Sequence, residues 1–211
     1  MKLGIDLYPT TVNKILQTFR KNGKIQPNGS WKNFLKAHWD TLFAMDYATI
    51  DTLFGKRLYL LLIMQLHSRK IVACKLTQYP CREFVRQQII DFSEEFPKSY
   101  LLHDNDSHFT SINYFDYGIN GIKTCVASSN MNVYIERLIG TIRREALDNF
   151  LMVSEKQIKH IVENYVRYYN NQRPHQGLNR IPENPILKKT GSINKEAVLS
   201  GLHYNYFWSS A

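Results

Sequence analysis

Apolar residues recur with two different spacings along this chain, and the spacings predict both strands and helices. The stretch Arg57–His67 is too apolar to have a solvated face, which is typical of an interior strand. Asp40–Thr49 and Ile71–Thr77 have the character of strands on either side of it, with turns at residues 55–56 and 68–70. Because the connections are short, we expect these three strands to form an antiparallel meander.

Two shorter strands are predicted beyond the meander. Tyr100–Asp104 is a short buried strand that ends in an acidic loop, and Ile122–Val126 is a fifth strand after a turn at Gly118–Gly121. A helix is predicted before them over Arg82–Phe92, since its apolar residues stand at helical offsets and Pro97 marks its end. We expect this helix to cross back over the sheet.

Two amphipathic helices are predicted in the second half of the chain. The first spans Ser128–Asp148, and the second opens with the capping-box pattern Ser154–Gln157 and ends within residues 170–177. Their apolar stripes consist of Ile135, Leu138, Ile139, Ile142 and Ala146 in the first helix, and of Ile158, Ile161, Val162, Tyr165, Val166 and Tyr169 in the second.

The two ends of the chain differ from this central part. Thr10–Arg20 is an amphipathic segment that resembles the last helix of a helix-turn-helix, with a packing helix at the edge of the main domain as the alternative. Gly23–Ser30 has the composition of a linker, and Trp31–Trp39 is a short amphipathic stretch. Prolines and short apolar groups after Arg180 indicate an irregular tail. The expected domains are therefore residues 1–29, 30–178 and 179–211.

Composition limits the classes of protein to which the chain can belong. Its 211 residues are 44% hydrophobic, enough for a core, and 27 lysines and arginines against 18 acidic residues give a net charge of +9. This excess favours a polyanionic partner such as nucleic acid. The three cysteines have no metal-ligand or disulfide spacing, so buried free thiols are expected. The longest apolar run, near Leu58–Leu66, is too short to cross a bilayer, and we expect a soluble, cytoplasmic protein with no membrane partner.

An acidic residue among arginines distinguishes the helix at Ser128–Asp148. Glu136, Gly140 and Arg143 follow one another along one face, so Glu136 and Arg143 should point the same way. A solvated charged face is the alternative interpretation of this pattern. Arg144 and Glu145, which follow, are expected to be an exposed pair.

Two further carboxylates suggest what Glu136 does. Asp46 lies in the middle of a strand, where an acid is costly without a metal or hydrogen-bond partners, and Asp104 stands where a buried strand ends. If the first and fourth strands are neighbours, these two acids meet, and the helix after the fifth strand can bring Glu136 to them. Three converging carboxylates repel one another unless a divalent cation neutralises them, and oxygen ligands favour Mg²⁺ or Mn²⁺.

These residues resemble a known family, the DDE integrases and insertion-sequence transposases with an integrase catalytic core. Asp46 within residues 44–52, Asp104 within 102–109 and Glu136 within 132–145 match the three acids of the family, and residues 168–178 are similar to its motif beyond the core. The resemblance implies an α/β, RNase H-like fold, a mixed five-stranded sheet flanked by helices. It also implies that Asp46, Asp104 and Glu136 are both catalytic residues and ligands of two metal ions, Mg²⁺ or Mn²⁺.

The implied function is cleavage at the 3′ ends of a mobile element followed by strand transfer. Element ends and target DNA would be the partners of a homo-oligomer, placed in the cytoplasm and on the nucleoid when bound to DNA. The candidate DNA contacts are Arg137, Arg143, Arg173 and His175, although Arg143 could instead be a solvated helix residue and His175 a packing or capping group. Asp106 could assist the metal site or, as the favoured alternative, cap the turn that follows it.

Two departures from the family pattern leave other functions open. Only 31 residues separate Asp104 from Glu136, a few fewer than the family usually has, and the helix-turn-helix is incomplete. An inactive or truncated, element-derived DNA-binding protein is therefore one alternative. An RNase H-like nuclease that only hydrolyses nucleic acid is another, since it would share the three acids and the metal.

Overall fold

The computed structural model describes residues 14, 31–124, 132–175, 181 and 191–209. The chain divides into two compact units, residues 1–38 and 39–211. Apart from Lys14, which is helical, the predicted helix at Thr10–Arg20 lies outside the described residues, as does the linker before Trp31. The predicted domain limits of 1–29, 30–178 and 179–211 stay a prediction.

The described part of the first unit contains a short helix, α1, at Trp31–His38. The Phe34 and His38 rings lie 4.7 Å apart, one turn from each other. The amphipathic stretch predicted here is thus a helix.

The second unit is built around a mixed five-stranded sheet in the order β3-β2-β1-β4-β5. The first three strands form the predicted antiparallel meander, and β4 and β5 continue the sheet in parallel from β1. Strand β2 is almost wholly buried between two neighbours, as its apolar sequence predicted. The strands are β1 Leu42–Asp51, β2 Arg57–Gln65, β3 Ile71–Thr77, β4 Tyr100–His103 and β5 Asn120–Lys123.

Four α-helices accompany the sheet among the described residues of this unit: α2 Arg82–Glu95, α3 Ser107–Thr110, α4 Val133–Glu145 and α5 Glu155–Asn171. The Ser154 hydroxyl caps α5 by accepting from the Gln157 amide, as the capping-box pattern predicted. Residues 128–131 of the predicted helix before α5 lie outside the described residues. None of the described helices has the length and apolar character needed to cross a membrane.

The two faces of the sheet pack against different helices. Alternate residues of β1 and β2, including Phe43, Met45 and Leu61, share a core with Val85 and Ile89 of α2. Since successive side chains of a strand point to opposite faces, Ala44, Asp46 and Ala48 lie on the other face. Helix α4 contacts β1 and β2 and buries Ile135, Leu138 and Ile142. Asp46 therefore faces the side of the sheet on which α4 packs.

The fifth strand begins two residues earlier than predicted. Gly118 has the left-handed conformation of a turn, with φ of 69°, but Gly121 lies inside β5. A Cβ atom at Gly121 would stand 2.3 Å from Cδ2 of the buried Tyr114. Gly121 is therefore explained by close packing against Tyr114, and the prediction that it forms part of the turn was wrong.

The prediction of an irregular tail was also wrong over residues 193–208. Strands β6 Ile193–Val198 and β7 His203–Trp208 pair as an antiparallel hairpin. Aromatic residues dominate β7, and residues with this preference stabilise paired strands. The prolines that favoured an irregular tail precede the hairpin, at positions 182 and 185.

The cysteines agree only partly with the expectation of buried thiols. Cys74 in β3 is half-buried, whereas Cys81 is exposed, because it precedes the first turn of α2. Cys125 lies outside the described residues. Both described cysteines are free.

Candidate active site

Asp46 and Asp104 are brought together by the parallel pairing of β1 with β4. Ala44 is the partner of Leu102 in this pairing. Continuing the register by two residues places Asp104 beside Asp46, and both side chains point to the same face because the side-chain period of a strand is two. The condition on which the predicted meeting of these acids depended, adjacent first and fourth strands, is thus confirmed.

Each of these aspartates accepts one hydrogen bond from the backbone. The Tyr47 amide donates to Asp46 Oδ1 at 2.7 Å, and the Asp106 amide donates to Asp104 Oδ1 at 2.9 Å. Both residues are half-buried. The bonds orient the carboxyl groups and leave acceptor capacity on both.

Glu136 comes from the helix that packs on this face. It lies in the first turn of α4 and is exposed, while the neighbouring Ile135 is fully buried. The helix is thereby oriented with its apolar stripe toward the sheet and Glu136 at its edge. The Asn132 carbonyl accepts the Glu136 amide at 2.9 Å and starts the helical hydrogen bonding.

The pKa of Asp46 is raised by burial and by the neighbouring acidic groups. Burial is the largest cause and raises this pKa, the bond from the Tyr47 amide lowers it, and the charges of Asp104, Glu136 and Asp106 raise it further, to about 6. The carboxyl group of Asp46 therefore lies within electrostatic reach of the other three acids. A bound cation would offset both its burial and this repulsion.

The set of donor groups fits a hard divalent cation, since carboxylate oxygens are the ligands such ions prefer. Within the residues that the structure describes, however, no three His, Cys, Asp or Glu side chains already stand in a metal-binding arrangement. The carboxylates thus affect one another electrostatically without forming a finished ligand set.

Arg143 lies two turns beyond Glu136 on α4 and contacts the strand that carries Asp46. Its Nη2 donates to the Thr49 carbonyl at 2.7 Å. Arg143 is half-buried, whereas Arg137, beside Glu136, is exposed. Arg143 thus joins α4 to β1, and its contact with a DNA phosphate stays a prediction.

Asp106 has the capping role that was favoured for it. Its side chain accepts from the His108 amide at 2.7 Å and caps α3. The same oxygen lies 2.7 Å from His108 Nδ1. His103, on the other side of Asp104, is 4% exposed and stacks on Tyr114.

Glu145 is not part of an exposed pair, contrary to the prediction. Its Oε2 accepts from the Tyr165 hydroxyl and from Arg173 Nε, both at 2.7 Å, and its Oε1 accepts from Arg173 Nη2 at 2.6 Å. The side chains of Arg173 and Glu145 are only 24% and 28% exposed. The long arginine reaches back from beyond α5, so the pair could not be recognised from the sequence of α4 alone.

Arg173 and His175, which were predicted to contact DNA, both contact other residues of the chain. The forked bonds to Glu145 occupy Arg173 Nε and Nη2. His175 is 9% exposed, and its ring stands edge-on to Tyr169 at 4.4 Å. Their assignment as DNA contacts stays a prediction, and a DNA phosphate would have to displace these internal contacts.

Asn170 has a structural role that the sequence analysis did not predict. Its Oδ1 accepts from the Ile71 amide and its Nδ2 donates to the Ile71 carbonyl, both at 2.9 Å. The buried amide thus replaces a neighbouring strand at the edge of β3. The sequence feature that could have indicated this role is an asparagine on the buried side of a helix, because a buried amide needs hydrogen-bond partners.

Comparison with known protein families matches the part of the chain that contains Glu136 but neither Asp46 nor Asp104. Residues 117–182 match the family model for the integrase core domain. The uncharacterised 39.2 kDa protein of insertion element IS476 from Xanthomonas euvesicatoria is 32% identical over 83 residues. That match covers 37% of this chain but only 24% of the relative, so the chain spans a minor part of that protein.

The fold is that of integrase catalytic cores. The HTLV-2 integrase catalytic core domain, solved in complex with magnesium, aligns in its trimeric form with a TM-score of 0.55 and 11% identity, over 68% of this chain and 94% of that chain. Its dimeric form gives a TM-score of 0.54. A chain of the simian T-cell lymphotropic virus intasome aligns with a TM-score of 0.57 and 9% identity, over 81% of this chain and 67% of that chain. At these identities the likeness concerns the fold alone.

The bonds to Glu145 predict a pH-dependent contribution to stability. Burial raises the pKa of Glu145, but hydrogen bonds from Arg173 and Tyr165 lower it more, so it lies below the ordinary value of 4.5. A carboxyl group with a lowered pKa stabilises the fold above its unfolded pKa and loses that effect as pH falls. We expect Glu145→Gln to reduce the free energy of unfolding at neutral pH, and the difference from wild type to shrink below about pH 4.5. Urea unfolding across this range checks it, and a difference independent of pH would contradict the role of the charge.

Proposed function

We propose that this chain is a member of the family of DDE integrases and insertion-sequence transposases and acts as a metal-dependent DNA strand transferase. The observation that carries the proposal is the position of Asp46 beside Asp104, on the face of the mixed sheet against which helix α4, with Glu136, packs. Asp46 and Asp104 follow from the parallel register of β1 and β4, and the pKa of Asp46 responds to both other acids. Such a cluster suits a phosphoryl-transfer site better than a structural role, because unneutralised repulsion destabilises the fold.

The three carboxylates are the proposed ligands of two Mg²⁺ or Mn²⁺ ions. Bound there, such ions would supply an activated water or 3′-hydroxyl and a stabilised leaving oxygen. Asp46 and Asp104 provide the fixed part of the site, since adjacent strands position their backbones and amides orient their carboxyl groups. Glu136 completes it from α4. Its exposure lets it contact both the ion and the DNA.

The proposed reaction has two steps of the same kind. In the first, a water oxygen bonds to the phosphorus at the element end, and the 3′-oxygen leaves as a free hydroxyl. In the second, that hydroxyl bonds to a phosphorus of target DNA, and the 3′-oxygen of the target strand leaves. The second step exchanges one phosphodiester bond for another and needs no external energy source.

DNA is the proposed partner, both as element end and as target. The net charge of +9 favours a polyanion, and Arg143 and Arg137 lie on the helix that carries Glu136. Joining two element ends to one target requires more than one active site, so we propose a homo-oligomer on DNA. The corresponding location is the cytoplasm, on the nucleoid when DNA is bound.

The first test replaces each proposed ligand without changing its shape. Asp46→Asn, Asp104→Asn and Glu136→Gln should each reduce nicking and joining of labelled element-end DNA by about a thousandfold or more, because each removes a ligand charge. The measurement is the yield of cleaved and joined strands on denaturing gels with Mn²⁺ or Mg²⁺. Asp91→Asn, an exposed residue of α2, is the matched control and should retain activity.

Three outcomes separate the alternatives. Joined products that disappear in all three variants support the strand transferase. Cleavage without joining in every condition favours a nuclease that only hydrolyses DNA. A wild-type protein that binds DNA and never cuts it with any divalent metal refutes the enzymatic function.

The second test concerns Arg143. If it contacts a phosphate, Arg143→Gln should weaken DNA binding and reduce the slope of log affinity against log salt by about one. Arg86→Gln is the control, because Arg86 lies on α2, against the opposite face of the sheet, and donates to the Tyr117 hydroxyl. Fluorescence anisotropy with labelled DNA at several salt concentrations measures both quantities. An unchanged salt slope would show that Arg143 serves only to join α4 to β1.

A further inference from the structure

We infer that the ion pair of Arg173 with Glu145 positions helix α4 so that Glu136 meets Asp46 and Asp104. Arg173 belongs to the motif at residues 168–178, which begins in the last turn of α5. The inference rests on the proposed function for the meaning of Glu136. The placement of the helix itself is a separate, measurable property.

Directed bonds concentrate at the carboxyl end of α4. The Glu145 carboxylate is bound by Arg173 and by the Tyr165 hydroxyl, and the Glu145 carbonyl accepts from His203 Nε2 at 2.6 Å. The His203 ring in turn stacks on Tyr168 at 4.8 Å. The last residue of α4 is therefore bonded to α5, to the segment after α5 and to the hairpin.

These partners are themselves fixed to the sheet. Asn170, three residues before Arg173, makes both of its bonds to the backbone of Ile71 in β3. The Arg173 amide donates to the Tyr168 carbonyl at 2.8 Å, which holds the arginine against the end of α5. A continuous set of hydrogen bonds thus runs from the edge of the sheet through α5 to Glu145.

The opposite end of α4 has fewer anchors among the described residues. The Asn132 side chain does not cap the helix, and its Nδ2 makes one long bond of 3.3 Å to Thr124 Oγ1. Arg69 lies over the Tyr134 ring at 3.7 Å. Buried apolar residues fix the face of α4 but not its exact rotation or axial position, because apolar contacts have no direction.

A rigid helix transmits the position of one end to the other. Glu145 lies nine positions after Glu136 in α4, which corresponds to about 14 Å of helix. The forked bonds to Glu145 set both the rotation and the axial position of the helix, since bidentate pairing of arginine with a carboxylate is geometrically specific. If the Glu136 carboxylate moved by about 1 Å, the catalytic rate would fall by about a hundredfold.

The experiment compares wild type with Arg173→Met, Arg173→Lys and a matched core variant, Ile89→Val. Arg173→Met keeps much of the length of the side chain but removes the ion pair. Arg173→Lys keeps the positive charge but lacks the paired N–H donors of the guanidinium group. Ile89 is a buried residue of α2, on the other face of the sheet, so Ile89→Val destabilises the core without touching Glu145. Hydrogen exchange of α4 peptides and the affinity for Mn²⁺ are measured, with thermal unfolding to match stability.

We expect exchange in α4 to become about tenfold faster in Arg173→Met and less so in Arg173→Lys, with little change in Ile89→Val. Mn²⁺ should bind about tenfold more weakly to Arg173→Met, with partial recovery in Arg173→Lys. Unchanged protection of α4, or equal effects in Ile89→Val at matched stability, would overturn the inference. If wild type binds no Mn²⁺, the proposed function fails, and the exchange data still decide whether Arg173 positions the helix.

Discussion

The burial of Asp46 close to other acids is the physical constraint on which the proposed site depends. A carboxylate in the middle of a buried strand is unfavourable by itself, and two more nearby increase the cost, as the raised pKa of Asp46 records. The fold keeps all three on one face because β1 and β4 are parallel neighbours and α4 packs over them. This arrangement is the basis of the divalent cation site that we propose.

The second half of the chain holds that arrangement in place. Helix α4 carries an acid at one end and Glu145 at the other, with Arg143 bonded to the Thr49 carbonyl between them. Helix α5 and the residues after it bind both Glu145 and the edge of β3. The motif beyond the core is thereby explained by internal contacts. Its tyrosines, asparagine and arginine bond α4, α5 and β3 to one another, and these are the elements around the proposed site.

Local patterns predicted most of the fold. Strand and helix periodicity depend on neighbouring residues, so the meander, helices α2 and α5 and the stripe of α4 could be recognised from spacing alone. The motifs predicted three site acids, and their roles stay a prediction. The adjacency of β1 and β4, which no local pattern specifies, is supplied by the structure through the pairing of Ala44 with Leu102.

Long-range side-chain pairs could not be predicted in the same way. Asn170 binds a residue 99 positions away, and Arg173 binds one 28 positions away, so neither partner is visible from local sequence. The internal contact of Arg173 was not visible either, because an arginine near a motif has the same appearance whether it faces solvent or a half-buried acid. The hairpin at residues 193–208 was missed because the prolines before it outweighed the aromatic pattern of β7.

The most direct test of the central claim is a crystal structure of the protein grown with Mn²⁺, with the ions located by anomalous scattering. The expected result is manganese bound by Asp46, Asp104 and Glu136 together. Two ions about 4 Å apart would match the proposed chemistry. Manganese held by other residues, or a Glu136 carboxylate more than about 10 Å from those of Asp46 and Asp104, would contradict a shared metal site.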